Sequence, residues 1–196
     1  NWLGLPWSVV YKVGWFGLFL VLGAVSSFTL SRTILFGLKR NWVHALSVLI
    51  YGTNTYILML VSGGQMGVAL AYALFPLVLS QFITLGRGVI GENKLGMREM
   101  LTAGLFFSLE VVLDLRFVYL SAVAITIYWL FLVYRRLFET HSIEKRRILN
   151  LPLIAVSVII PIGLAILLNA FWLLPTAVTA SRTVSELGAI YTSSSA

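Results

Sequence analysis

The sequence predicts an all-α, polytopic helical membrane protein with about six transmembrane helices and both termini outside. Three observations carry that prediction. First, 59% of the 196 residues are hydrophobic and only 11% are charged, against about 25% charged in a soluble domain. With a mean hydropathy of +0.95, the chain carries more apolar surface than a soluble fold of its length could hide, so the bilayer must be the solvent for most of it. Second, apolar runs recur between short polar stretches. Third, basic residues gather in alternate stretches: Arg32, Lys39 and Arg40, then Arg87, Lys94 and Arg98, then Arg135, Arg136, Lys145, Arg146 and Arg147. Only Lys12, Arg116 and Arg182 fall on the other side. The positive-inside rule assigns the three basic loops to the cytoplasm.

A transmembrane bundle is expected over 1–175, preceded at its start by an interfacial approach in which Trp2, Trp7, Tyr11 and Lys12 suit the headgroup level. The first span, about 13–30, carries Gly23 and Ser27, a small-residue spacing that admits a neighbouring helix. The second, about 43–61, holds a polar belt of Tyr51, Thr53, Asn54, Thr55 and Tyr56. An uncharged turn, Ser62 to Met66, leads to the third, about 67–85, which Pro76 should kink. The fourth, about 100–113, is short, covering roughly 21 Å of an approximately 30 Å core. The fifth spans about 117–134. The sixth, about 151–174, contains Pro161 and ends in Asn169-Ala-Phe-Trp-Leu-Leu-Pro175. Residues 176–196 are polar and Ser/Thr-rich, and read as an extracytoplasmic tail or linker. Both ends read as cut from a longer chain, and an outside start implies at least one span before Asn1.

The basic excess is accounted for by topology, so no nucleic-acid partner is expected; membrane lipids are. With no cysteine, there is no disulfide framework and no thiolate site. His44 and His141 make no metal spacing, and His44 reads as interfacial. No Gly-rich phosphate loop, Ser-His-Asp order or HExxH is present, and no residue is assigned a catalytic role.

Three clusters stand out. Glu110 and Asp114 are four residues apart and would share a helical face, with Arg116 in the following turn. This set reads either as a pocket for a phosphate-bearing headgroup or a metal, or as an internal ion pair closing a hairpin. Tyr51, Asn54, Tyr56 and Gln65 lie near the outer end of the second and third spans, either as a ligand site or as interhelical hydrogen bonding. Asn169, Trp172 and Pro175 read mainly as an interfacial anchor.

Several segments read together: Leu5-Pro6, Val10-Tyr-Lys12, Leu49-Ile-Tyr-Gly-Thr-Asn54-Thr-Tyr56, Gly64-Gln65, Tyr72-Ala-Leu-Phe-Pro76-Leu, Asp114-Leu-Arg116-Phe-Val-Tyr119 and Asn169 to Pro175. Their order resembles the middle part of the GT-C glycosyltransferase superfamily, with the archaeal and bacterial YfhO-like proteins the nearest pattern. Thr55 stands where many relatives have proline, and Gln65 where many have histidine. The resemblance implies transfer of a sugar from a polyprenyl-phosphate donor at the outer face of the cytoplasmic membrane. Lipid-carrier binding would then fall to Glu110, Asp114, Arg116, Tyr51, Asn54 and Gln65, and a divalent metal is allowed as cofactor. In that family the catalytic acid sits in the first outer loop. This chain has no Asp or Glu before Glu92, so the acid is expected upstream of Asn1. Two other readings stay open: a non-catalytic subunit beside other membrane subunits, and a transporter or lipid flippase using Pro76, Pro161 and Glu110.

Overall fold

The structure is a computed structural model that describes residues 4, 6–38, 40–54, 56, 59, 63–91, 96–138 and 151–193. Among these are six α-helices and no strand: α1 (Trp7–Ile34), α2 (Asn41–Gly52), α3 (Met66–Gly91), α4 (Met97–Leu113), α5 (Leu115–Phe138) and α6 (Leu151–Ser193). Four of them, α1, α3, α5 and α6, are long and apolar enough to cross a membrane. The protein is therefore a multi-pass, all-α membrane protein. The other two helices are shorter. At 1.5 Å per residue, α2 with its 12 residues reaches about 18 Å, and α4 with its 17 about 26 Å.

The bundle is organised around α3. Of its membrane-length window 61% is buried, against 17–22% in α1, α5 and α6. It packs against α1, α4, α5 and α6. Small side chains let its neighbours come close: Ala69, Ala71 and Ala73 are fully buried, and Gly23 of α1 lies opposite Ala73. Gly86 faces Tyr128 and Leu132 of α5, where a methyl group would collide. Large side chains fill the remaining space, with Phe82 of α3 edge-on to Phe107 of α4, ring centroids 5.9 Å apart. On the far side α4 packs against α6, where Gly104 lies against the backbone of Pro161.

Hydroxyls and amides tie the helices across these contacts, as expected where lipid supplies no hydrophobic drive. Ser26 of α1 donates to the carbonyl of Ala73. Thr33 and Ser80 pair at 2.8 Å. Tyr128 donates to Ile83 O at 3.1 Å. Asn169 of α6 donates to Ser108 of α4 at 2.8 Å and accepts from Trp172 Nε1 at 2.9 Å. The Asn169–Trp172 cluster is thus an α4–α6 clamp.

Three expectations change. The second span is not one helix over 43–61, because α2 stops at Gly52 and Thr53 caps it. His44, expected at the interface, is enclosed by protein. It is 3% exposed, with Nδ1 2.8 Å from Ser31 Oγ, Nε2 3.4 Å from Leu38 O and Phe28 edge-on. Helix α6 also runs on through Pro175 to Ser193, over much of the segment read as a linker.

Candidate functional site

The end of α2 leaves orphan carbonyls, as every helix end does. One is that of Tyr51. A second orphan arises in α3, where Pro76 lacks the N–H that would bond the carbonyl four residues earlier. That carbonyl belongs to Tyr72. The two tyrosines satisfy each other: the Tyr51 hydroxyl donates to Tyr72 O, and the Tyr72 hydroxyl donates to Tyr51 O at 3.1 Å. Their rings stack with centroids 4.4 Å apart and planes 11° apart. Asn54 completes the clamp, its amide donating to Tyr51 O at 3.1 Å and to the Tyr72 hydroxyl. Thr53 bonds back to Leu49 O through both its N–H and its hydroxyl, at 2.9 and 2.7 Å.

Tyr72 leads on to the second cluster. Its ring meets Tyr56 at 5.6 Å and Phe117 edge-on at 6.0 Å. Phe117 follows Arg116 directly. The start of α3 also abuts this joint, since a methyl at Gly67 would fall 2.8 Å from Leu113 O.

The α4–α5 joint is a single residue, Asp114, in extended conformation. Its N–H bonds Glu110 O at 3.0 Å, ending α4. Its carboxylate accepts the Arg116 N–H at 2.8 Å, which is an N-cap for α5. The same carboxylate takes Arg116 Nε at 3.0 Å and Nη2 at 2.8 Å. The Arg116 side-chain hydrogen bond holds the Asp114 carboxyl below the ordinary aspartate range; burial opposes it less strongly, and the Arg116 backbone N–H adds a smaller lowering. The Arg116 side chain is 69% exposed, and its Nη1 makes no hydrogen bond among the described residues.

Glu110 does not join this pair. It is fully buried and takes the Ser121 hydroxyl of α5 at 2.7–2.8 Å. The shared helical face expected for Glu110 and Asp114 is lost because α4 ends at Leu113 and Asp114 is extended. Gln65 is exposed in the turn before α3 and its side chain bonds to neither Tyr51 nor Asn54. Tyr51, Asn54, Asp114 and Arg116 are therefore brought to one end of the bundle, Glu110 is held one turn deeper, and Gln65 stands apart. Sequence reasoning left Tyr72 out of the site. Its signal was present: a tyrosine four residues before a proline, opposite a tyrosine just before a helix end.

Between α1 and α2 lies an apolar groove. In the orientation expected from the basic loops, its outer part, about 270 Å³, is walled by Phe19, Leu20, Ala24, Val48 and Leu49 and ends at Tyr51, Thr53 and Tyr72. Its inner part, about 530 Å³, shares Ala24, Val48 and Leu49 and continues to Phe28 and Ala45. No group of three or more His, Asp or Glu side chains able to hold a metal occurs among the described residues. His141, Lys145 and the rest of 139–150 lie outside the described residues.

Chemically, the arrangement offers an apolar slot, a neutral hydrogen-bonding collar and one exposed guanidinium. Compared with protein-family models, curated proteins and solved structures, the chain matches none.

Proposed function

We propose that this chain is the lipid-carrier-binding membrane part of a GT-C-like glycosyltransferase, using a polyprenyl-phosphate-linked sugar at the outer face of the cytoplasmic membrane. One observation carries the reading: the α1–α2 groove is apolar along its walls and ends at hydroxyl-bearing residues. A lipid-linked donor must enter sideways between helices, and a slot of this size lies within reach of the 300–1,000 Å³ of ordinary ligand sites. The carrier's hydrocarbon chain lies against Phe19, Leu20 and Leu49. Its phosphate turns toward Arg116, whose Nη1, unbonded among the described residues, carries two N–H groups suited to phosphate oxygens. A leaving phosphate is helped more by such a fixed cation than by a nucleophile.

The test is photo-crosslinking of the purified chain with a benzophenone-bearing polyprenyl phosphate. Crosslinks in α1 and α2, competed by polyprenyl phosphate but not by phosphatidylcholine, are expected. A tryptophan at Leu49 should abolish them. Labelling spread evenly over all lipid-facing helices would sink the reading.

One observation favours a second reading, a non-catalytic subunit of a larger membrane complex. Asp114 serves as the helix cap, and Glu110 is buried against Ser121. Both carboxylates thus have structural work. Fixed-ratio co-purification with a partner, with activity indifferent to Arg116→Ala, would select that reading. A flippase is disfavoured, because the groove's walls offer a headgroup no polar path.

A further inference from the structure

The inner part of the groove has its own features, at the opposite end from the site above. Arg32, in the last turn of α1, places its Cζ 5.7 Å from the ring centroid of Phe28, and Phe28 lines the inner groove. Arg87 of α3 lies 5.8 Å from the ring of Phe36 in the turn after α1. Both arginines are exposed, and neither pairs with a carboxylate among the described residues. Around them Phe36 is 85% exposed and Trp42 61%. Exposed aromatics beside guanidiniums are the composition of a headgroup level. An arginine resting on a ring is held in place with most of its donors unused, which prepares it for phosphate. The groove behind it is lined almost entirely by hydrocarbon and has about 530 Å³ of space.

We propose that the inner mouth of the α1–α2 groove binds one anionic phospholipid of the cytoplasmic leaflet, its headgroup on Arg32 and one acyl chain along Phe28, Ala45 and Val48. Two independent features select this occupant. The guanidiniums, which pair with no carboxylate among the described residues, select a negative headgroup over a zwitterionic one, and the groove selects a lipid over a free anion. The orientation follows from the basic loops, which face the leaflet where anionic lipid attracts arginine. The site's headgroup end, at Arg32, lies at the opposite end of the groove from Tyr51 and Tyr72, although the two parts share Ala24, Val48 and Leu49.

The experiment is native mass spectrometry of the full chain released from mixed micelles containing phosphatidylglycerol or phosphatidylcholine. Phosphatidylglycerol should be retained about fivefold better, the worth of one arginine at an anionic leaflet. Arg32→Gln should remove that preference and leave phosphatidylcholine retention as it was. Ala45→Phe, which fills the groove, should lower retention of both. Excess inorganic phosphate should not displace the bound lipid. Equal retention of the two lipids overturns the proposal, as does a preference that survives Arg32→Gln. Displacement by phosphate does so too. Arg32 is a surface residue, so its substitution stays informative even if Ala45→Phe fails to fold.

Discussion

At Gly52 the chain ends a helix with neutral groups, whereas at Leu113 it ends one with charges. Both ends lie at the same end of the bundle, both leave carbonyls to be satisfied, and both touch the first part of α3. At the first, Tyr51, Tyr72 and Asn54 exchange hydroxyl and amide hydrogen bonds. At the second, Asp114 and Arg116 form a paired, charged cap. Exposure explains the difference. Arg116 is 69% exposed and can keep its charge solvated, while Tyr51 and Tyr72 back onto an apolar groove, where an ion would be costly. The neutral joint therefore depends on its partners, and the charged joint depends on water.

The largest effect should come from Tyr72→Ala. It removes the stacked ring and leaves Tyr51 O with only the Asn54 amide, so a loss of about 3 kcal/mol or more is expected by denaturant titration in micelles. Next, Tyr51→Phe leaves the Tyr72 carbonyl unbonded behind Pro76 and should cost about 1–2 kcal/mol. Pro76→Ala restores the helical N–H, so in that background Tyr51→Phe should cost clearly less. A double-mutant cycle reads this coupling, and zero coupling would break the explanation of the clamp.

At the charged joint, Asp114→Ala should cost about 1 kcal/mol as a lost cap. Its carboxyl is held low in the folded state. The stabilisation is therefore complete above the ordinary aspartate value near pH 4 and is lost as pH falls from there through the lowered value. Asp114→Asn should flatten that part of a melting-temperature profile against pH. The smallest effect on stability belongs to Arg116→Ala, which breaks one largely exposed ion pair and should lower the melting temperature only slightly at pH 7 while removing binding of polyprenyl phosphate. A parallel loss of both would make the arginine structural.

The sequence revealed the class of fold because composition and the spacing of basic loops report directly on the solvent around a helix. It located the α4–α5 turn closely, because Asp114 and Arg116 interrupt two apolar runs. The break in α2 was not legible as a break. Residues 43–61 are apolar enough to read as one span, and Tyr51 and Asn54 show their purpose only when Tyr72, 21 residues away in sequence, is brought against them. The burial of His44 was hidden for the same reason, since its partner Ser31 lies on another helix. The burial of Glu110 was not legible either, since Ser121, whose hydroxyl donates to it, carries no pattern of its own.

The shortness of α2 has a consequence for how the protein is made. A segment of about 18 Å is too short to enter a bilayer as an independent crossing. Tyr51 also emerges from the ribosome well before the carbonyl it will satisfy. Stable insertion of α2 must therefore wait for α3, and the two should leave the translocation channel as a hairpin. Truncating synthesis between them should leave residues 41–52 accessible to added protease, while extending the nascent chain past Pro76 should protect them.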